Sequence, residues 1–152
     1  MVSPEAEWFD PPWLEVRPSP IAGRGLFTTK ACRAGERLLI IAGEVIDEDE
    51  CDRREVEENN CVIYVLDDDH YIDPVGSLKC RSLNHSCQPN SEPFGRDSAT
   101  LWLTALRDIA AGEELTIDYD YPEIYELCQA VNPRCLREQC PLRARYSAAA
   151  AP

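Results

Sequence analysis

Basic residues are in short supply in this 152-residue chain: 15 lysines and arginines stand against 28 acids, a formal charge of −13. Nucleic acid wants a basic surface, so that class of partner is not expected. Histidine is scarcer still, at two, and neither stands in a pattern that suggests a triad-like relay. No apolar run approaches the roughly 20 residues of a membrane span. The opening segment, MVSPEAEWFDPPW, has neither the basic nor the apolar region of a secretory signal. The expectation is a soluble intracellular protein, in cytoplasm or nucleus.

What is present fits a folded domain. A hydrophobic content of 44% excludes a disordered chain, and the length allows one core of respectable size. The eight cysteines, without an export signal, read as reduced thiols, some of them available to metal. The acids cluster at 44–58 and at 67–69. Most of them keep the surface solvated, but such a field also attracts a basic partner.

Glycine and proline interrupt the pattern too often for long helices, so the fold expected is mostly β. Residues 1–13 read as an extended arm, with Trp8 and Trp13 as anchors. Strands are expected at 14–17, 62–66, 71–72 and 100–106. The best helix candidate is 47–58, and Pro122 suits the first residue of a short helix to about Val131. An internal echo joins Ala34-Gly35-Glu36-Arg37-Leu38 to Ala111-Gly112-Glu113-Glu114-Leu115. In each, a tight glycine turn feeds an apolar strand, which favours a body built from short sheets. Residues 122–146 are expected to be a separate cysteine-containing segment, and 147–152 a frayed, disordered tail.

Two strings carry the chemistry. Residues 81–90 read RSLNHSCQPN and residues 112–121 read GEELTIDYDY. Asn, Ser, Pro and Asn in quick succession exclude regular structure, so 84–90 is expected to be a fixed irregular loop rich in donors and acceptors. Taken singly, each string also suits a turn whose side chains bond their own backbone. With GRGLF at 23–27 and AGEVI at 42–46, the four strings in this order resemble the signature of the SET-domain protein lysine methyltransferases.

The resemblance places a SET domain at 14–121. It implies several small curled sheets, few short helices, and a chain end that passes under the 84–90 loop in a knot-like arrangement. It also implies S-adenosylmethionine as cofactor. Gly23, Arg24 and Gly25 would present backbone groups to it, since glycine permits close approach. Asn84 would take its methionine end, His85 its adenine through backbone contacts, and Tyr121 would help cover it. Arg81 and Asn90 would tie the loop to its neighbours. The substrate implied is a lysine in a basic protein, such as a histone tail. Methyl transfer from a sulfonium to a neutral amine is mostly alignment and charge placement, and needs no strong base. Tyr119 suits the catalytic position, its hydroxyl orienting the amine and its ring walling the channel.

The chain departs from the family in three places. Ile41 and Ile117 stand where the family often has aromatic residues lining the lysine channel. Many members follow the catalytic core with three cysteines that join the loop cysteine around one zinc ion. Here Pro133 replaces the first of them, leaving Cys87, Cys128, Cys135 and Cys140 as the candidate all-thiolate site. The same cysteines also suit small apolar residues closing over the cofactor. Cys32, Cys51, Cys61 and Cys80 read as ordinary core or surface residues. The lost aromatics leave a second function open, a catalytically silent module that docks a basic protein. A zinc-stabilised structural adaptor is a third reading, supported by the cysteines alone.

Overall fold

The computed structural model describes residues 6–21, 23–58, 60, 62–86 and 88–119. Its elements, in chain order, begin with a helical turn α1 (Ala6–Phe9), β1 (Leu14–Pro18), β2 (Arg24–Thr28), β3 (Arg37–Ile41), β4 (Glu44–Asp47) and α2 (Glu48–Glu57). There follow β5 (Tyr64–Val65), β6 (His70–Asp73), α3 (Leu78–Arg81), β7 (Asn84–His85), β8 (Ser91–Gly95), β9 (Leu101–Ala105) and β10 (Glu114–Ile117). The strands form three small sheets, ordered β1-β2-β10-β7, β3-β9-β8 and β4-β6-β5. The mostly-β reading holds.

The expected strands form where apolar residues alternate or cluster. In β9, Leu101, Leu103 and Ala105 are buried while Trp102 and Thr104 are half-exposed, the period-two pattern of a strand with one covered face. In β3, the run from Leu38 to Ile41 is buried throughout, as expected of a strand covered on both faces. One continuous core joins the sheets: Leu14, Leu26 and Leu115 from the first, Leu39 and Leu103 from the second, Tyr64 and Ile72 from the third.

The internal echo is structural. Gly35 and Gly112 both adopt positive φ, 84° and 90°, which only glycine does without strain. In both turns the glutamate carboxylate accepts a backbone N–H three residues upstream, Glu36 from Arg33 at 2.9 Å and Glu113 from Ala110 at 2.6 Å. An antiparallel bridge between Cys32 and Ile109 stitches the two turns together.

α2 starts where expected, because the Asp47 carboxylate accepts from Glu50 N at 2.9 Å and three acids fill the first turn. Arg54 ties this helix to the sheet beneath it, reaching Glu44 at 2.8 Å and the buried Asp73 at 2.7 Å. Gly43 lies so close to the next strand that a Cβ would stand 2.0 Å from the Asp73 carbonyl oxygen.

Two expectations need correction. The arm at 1–13 is not extended throughout: Ala6–Phe9 makes a helical turn. That turn seats Trp8 edge-on against Trp13 and Trp102, with centroids 6.4 and 5.5 Å apart, a favourable aromatic geometry. The 84–90 loop is likewise not irregular from its first residue. Asn84 and His85 pair in parallel with Thr116 and Ile117, because an open edge of β10 offers their backbone groups better partners than a turn would. The expected helix from Pro122, the cysteine-containing segment, the tail and the passage of the chain end lie outside the described residues. Among those described, no helix is long and apolar enough to cross a membrane.

Candidate active site

β10 assembles the site. It lies between β2, which opens with Arg24-Gly25, and β7, which is Asn84-His85. The two sequence strings and the Gly-Arg-Gly segment are thereby brought together, although Arg24 and Asn84 stand 60 residues apart in the chain. The Asn84 amide nitrogen donates to the Arg24 carbonyl at 3.0 Å and to the Glu114 carboxylate at 2.9 Å. Both neighbours are acceptors, so the amide can face them only with its NH2 group. Its carbonyl oxygen points the other way, and an oxygen acceptor suits the ammonium at the methionine end of the expected cofactor.

Glu114 received no role from the sequence, yet it sits at the centre of this corner. It also accepts from the Ser19 hydroxyl, at 2.7 and 2.9 Å. Its carboxylate also fills the space beside Gly25, where a Cβ would meet the Glu114 Oε2 at 2.3 Å. Gly23 adopts φ 46° in the turn before it. Ser19 carries no motif that would have flagged it.

The other end of β10 delivers Tyr119. Its hydroxyl donates to the Leu83 carbonyl at 2.5 Å, and its backbone N–H donates to His85 Nδ1 at 3.0 Å. The two rings pack edge to face, 5.4 Å apart and inclined at 61°. Nδ1 is therefore an acceptor, and the neutral imidazole carries its proton on Nε2. Burial holds the His85 pKa below its ordinary value, and Asp118, whose carboxylate lies 3.7 Å from Nδ1, offsets part of that. His85 thus supports Tyr119 with its ring, a part the sequence did not suggest.

The loop is locked to β10 beyond β7 as well. Buried Asn90 donates to the Glu114 carbonyl at 2.7 Å and accepts from Thr116 N at 2.9 Å. Ser91 donates to the Thr116 carbonyl at 2.7 Å. Asn90 ties the loop down as expected. Arg81 does not: it ends α3 exposed, with no side-chain bond among the described residues. Ile41 and Ile117 are buried in the core, 0% and 3% exposed, and pack as core residues.

A SET domain profile matches residues 23–120. The chain belongs to the SET-domain family. Among its relatives is the histone-lysine N-methyltransferase trithorax of Drosophila virilis, 36% identical over 129 residues. That alignment covers 77% of this chain and 3% of the relative. The histone-lysine N-methyltransferase, H3 lysine-36 specific, of Mus musculus is 36% identical over 126 residues, 74% of this chain and 5% of its own length. Human histone-lysine N-methyltransferase 2B is 36% identical over 114 residues, 68% of this chain and 4% of its own. The chain thus spans only a few per cent of these relatives.

Of the residues proposed for this SET-domain chain, Gly23, Arg24, Gly25, Asn84, His85 and Tyr119 are described and lie at the start of β2 and the turn before it, in β7, and two residues past the end of β10. Tyr121 and the thiols Cys87, Cys128, Cys135 and Cys140 lie outside the described residues. Among those described, no group of three or more His, Cys, Asp or Glu side chains could hold a metal. Cys32, Cys51 and Cys80 are free and buried. Burial raises the pKa of each thiol, that of Cys51 to about 12, so they stay protonated and inert.

Proposed function

We propose that the chain transfers a methyl group from S-adenosylmethionine to the side-chain amine of lysine in a basic protein. One observation carries the reading. A single strand, β10, links the Gly23–Gly25 turn, Asn84-His85 and Tyr119, the residues that this chemistry needs together.

Bound S-adenosylmethionine supplies a methyl group on a positively charged sulfur. Gly23, Arg24 and Gly25 would hold it through the backbone, and Asn84 through its side-chain oxygen. Tyr119 has one hydroxyl hydrogen, and that hydrogen is committed to Leu83 O. Towards an incoming amine the oxygen can therefore act only as an acceptor, which orients the nitrogen. The half-buried ring adds an apolar wall, and apolar burial pushes a lysine pKa down, favouring the neutral nucleophile. Transfer would form the N–C bond at the expense of the S–C bond of that methyl group, with the amine nitrogen oriented by the Tyr119 oxygen and the lysine proton lost to solvent.

Charge supports a basic substrate. Between Glu44 and Asp73 there are thirteen acids against two arginines, a formal −11 of the chain's −13. Most of these acids are exposed on α2 and the β5–β6 turn. Histone tails match that field, and the relatives' names point the same way.

The test is incubation of the purified chain with methyl-labelled S-adenosylmethionine and a panel of basic proteins that includes the core histones. Label on lysine is expected, and Asn84→Ala should abolish it. The second reading, a silent module that docks a basic protein, draws on the aliphatic Ile41 and Ile117, both buried in the core, standing where the family often has aromatic residues. Stable binding of the same panel with no label would select it.

A further inference from the structure

We propose that Glu114 is the positioning residue of the cofactor site: its carboxylate, seated in the space that Gly25 leaves empty, fixes the orientation of the Asn84 amide. The inference rests on the cofactor reading above and adds to it the residue that sets the geometry of Asn84.

Four observations converge. Glu114 Oε2 accepts from Asn84 Nδ2 at 2.9 Å. The same oxygen occupies the place where a Cβ on Gly25 would stand, at 2.3 Å. Ser19, from the turn that leads into β2, holds both carboxylate oxygens at 2.7 and 2.9 Å. No arginine or lysine pairs with Glu114 among the described residues, so neutral donors alone hold this half-buried charge. A carboxylate removed from water needs such donors in place. It draws NH2 of Asn84 towards itself and so turns the amide oxygen to the opposite side.

This changes the meaning of the Gly-Arg-Gly segment. Gly25 is buried, and its missing Cβ makes room for a protein carboxylate. Gly25, Glu114 and Asn84 form one coupled unit, and a defect in either of the first two reaches the cofactor through the third.

Calorimetric titration with S-adenosylmethionine tests this on the whole chain. Wild type should bind. Glu114→Ala should bind about tenfold more weakly or worse, the loss expected for a displaced hydrogen-bond group at a charged ligand. Glu114→Gln keeps an oxygen for Asn84 and should restore affinity to within about threefold of wild type. Gly25→Ala pushes the carboxylate aside and should match Glu114→Ala, and the double variant should be no weaker than the weaker single. In turnover assays of Glu114→Ala the loss should fall on KM for the cofactor, with kcat at saturation and KM for the protein substrate unchanged. If Glu114→Ala does not fold by circular dichroism, Gly25→Ala carries the same reading, because it moves the carboxylate without removing it. Wild-type affinity in both alanine variants, or fully additive losses in the double, would overturn the role of Glu114 alone. Failure of the wild type itself to bind would overturn the cofactor reading, and this inference with it.

Discussion

Asn90→Ala isolates what the loop contributes to the fold. The side chain is 3% exposed and spans two residues of β10, donating to Glu114 O at 2.7 Å and accepting from Thr116 N at 2.9 Å. Alanine removes both bonds and leaves both backbone groups without a replacement. An unpaired buried donor costs about 1–3 kcal/mol and a part-buried acceptor about 0.5–1.5 kcal/mol, so the sum is roughly 1.5–4.5 kcal/mol. Against a total stability of about 5–15 kcal/mol this is a large share. In a domain of this size it corresponds to a fall in Tm of roughly 5–15 °C. Thermal unfolding followed by circular dichroism measures it, and urea titration should show a lower midpoint at constant slope. Asn90→Asp sharpens the case: it keeps the acceptor for Thr116 N but sets a carboxylate oxygen against the Glu114 carbonyl. That variant should also be destabilised at neutral pH and recover in part when acid protonates the new carboxyl. A Tm for Asn90→Ala within about 2 °C of wild type would refute the reasoning, since solvent would then be satisfying both groups.

Tyr119→Phe should reduce methyl transfer strongly while leaving cofactor affinity nearly unchanged, because the hydroxyl acts on the amine; wild-type turnover would remove Tyr119 from the chemistry. Acid should weaken the fold through His85. Burial holds its pKa below the ordinary 6.5, so the unfolded chain binds the proton first, and the stability due to the neutral ring is full above pH 6.5 and drains below it. Urea midpoints should therefore fall as the pH drops below the ordinary histidine value, less so in His85→Gln, and a flat profile would count against the Tyr119–His85 bond. Metal analysis separates the two readings of the C-terminal thiols. About one zinc per chain, reduced in Cys135→Ser together with Tm, selects the metal site, and metal-free active protein selects apolar packing.

Much of the fold was legible because its strands are local events. The alternation Leu101-Trp102-Leu103-Thr104-Ala105 and the paired glycine turns at 35 and 112 declare themselves without reference to the rest of the chain. α2 did so as well, through Asp47 and the acids behind it. The helical turn at Ala6–Phe9 was not legible, since the packing of Trp8 on Trp102, 94 positions away, gives it its place. The same limit applied in the site. Asn84, His85 and Tyr119 stood out by motif, and their partners did not. Ser19 and Glu114 meet across 95 residues, and nothing in either local sequence announces the contact. The pairing of Asn84-His85 with β10 was hidden for a similar reason, because turn-forming residues become a strand only when an edge is supplied.

That distribution of contacts explains how a strand of four residues would control both ends of the proposed methyl transfer. Glu114 at its start fixes Asn84 and the turn carrying Gly25. Thr116 and Ile117 hold β7 and, through Asn90 and Ser91, the loop beyond it. Two residues past its end, Tyr119 is gripped at the hydroxyl by Leu83 and at the backbone by His85. Both of those anchors flank Asn84 in sequence, so the groups proposed for the cofactor and for the amine hang from the same three residues, 83 to 85. A shift of β10 along its axis would move the two sets together. Packed elements resist such a shift, because sliding would break the Asn90 and Ser91 bonds along with the parallel pairing. The alignment that the proposed transfer demands would thus be a property of the sheet, and neither the loop nor the tyrosine could supply it alone.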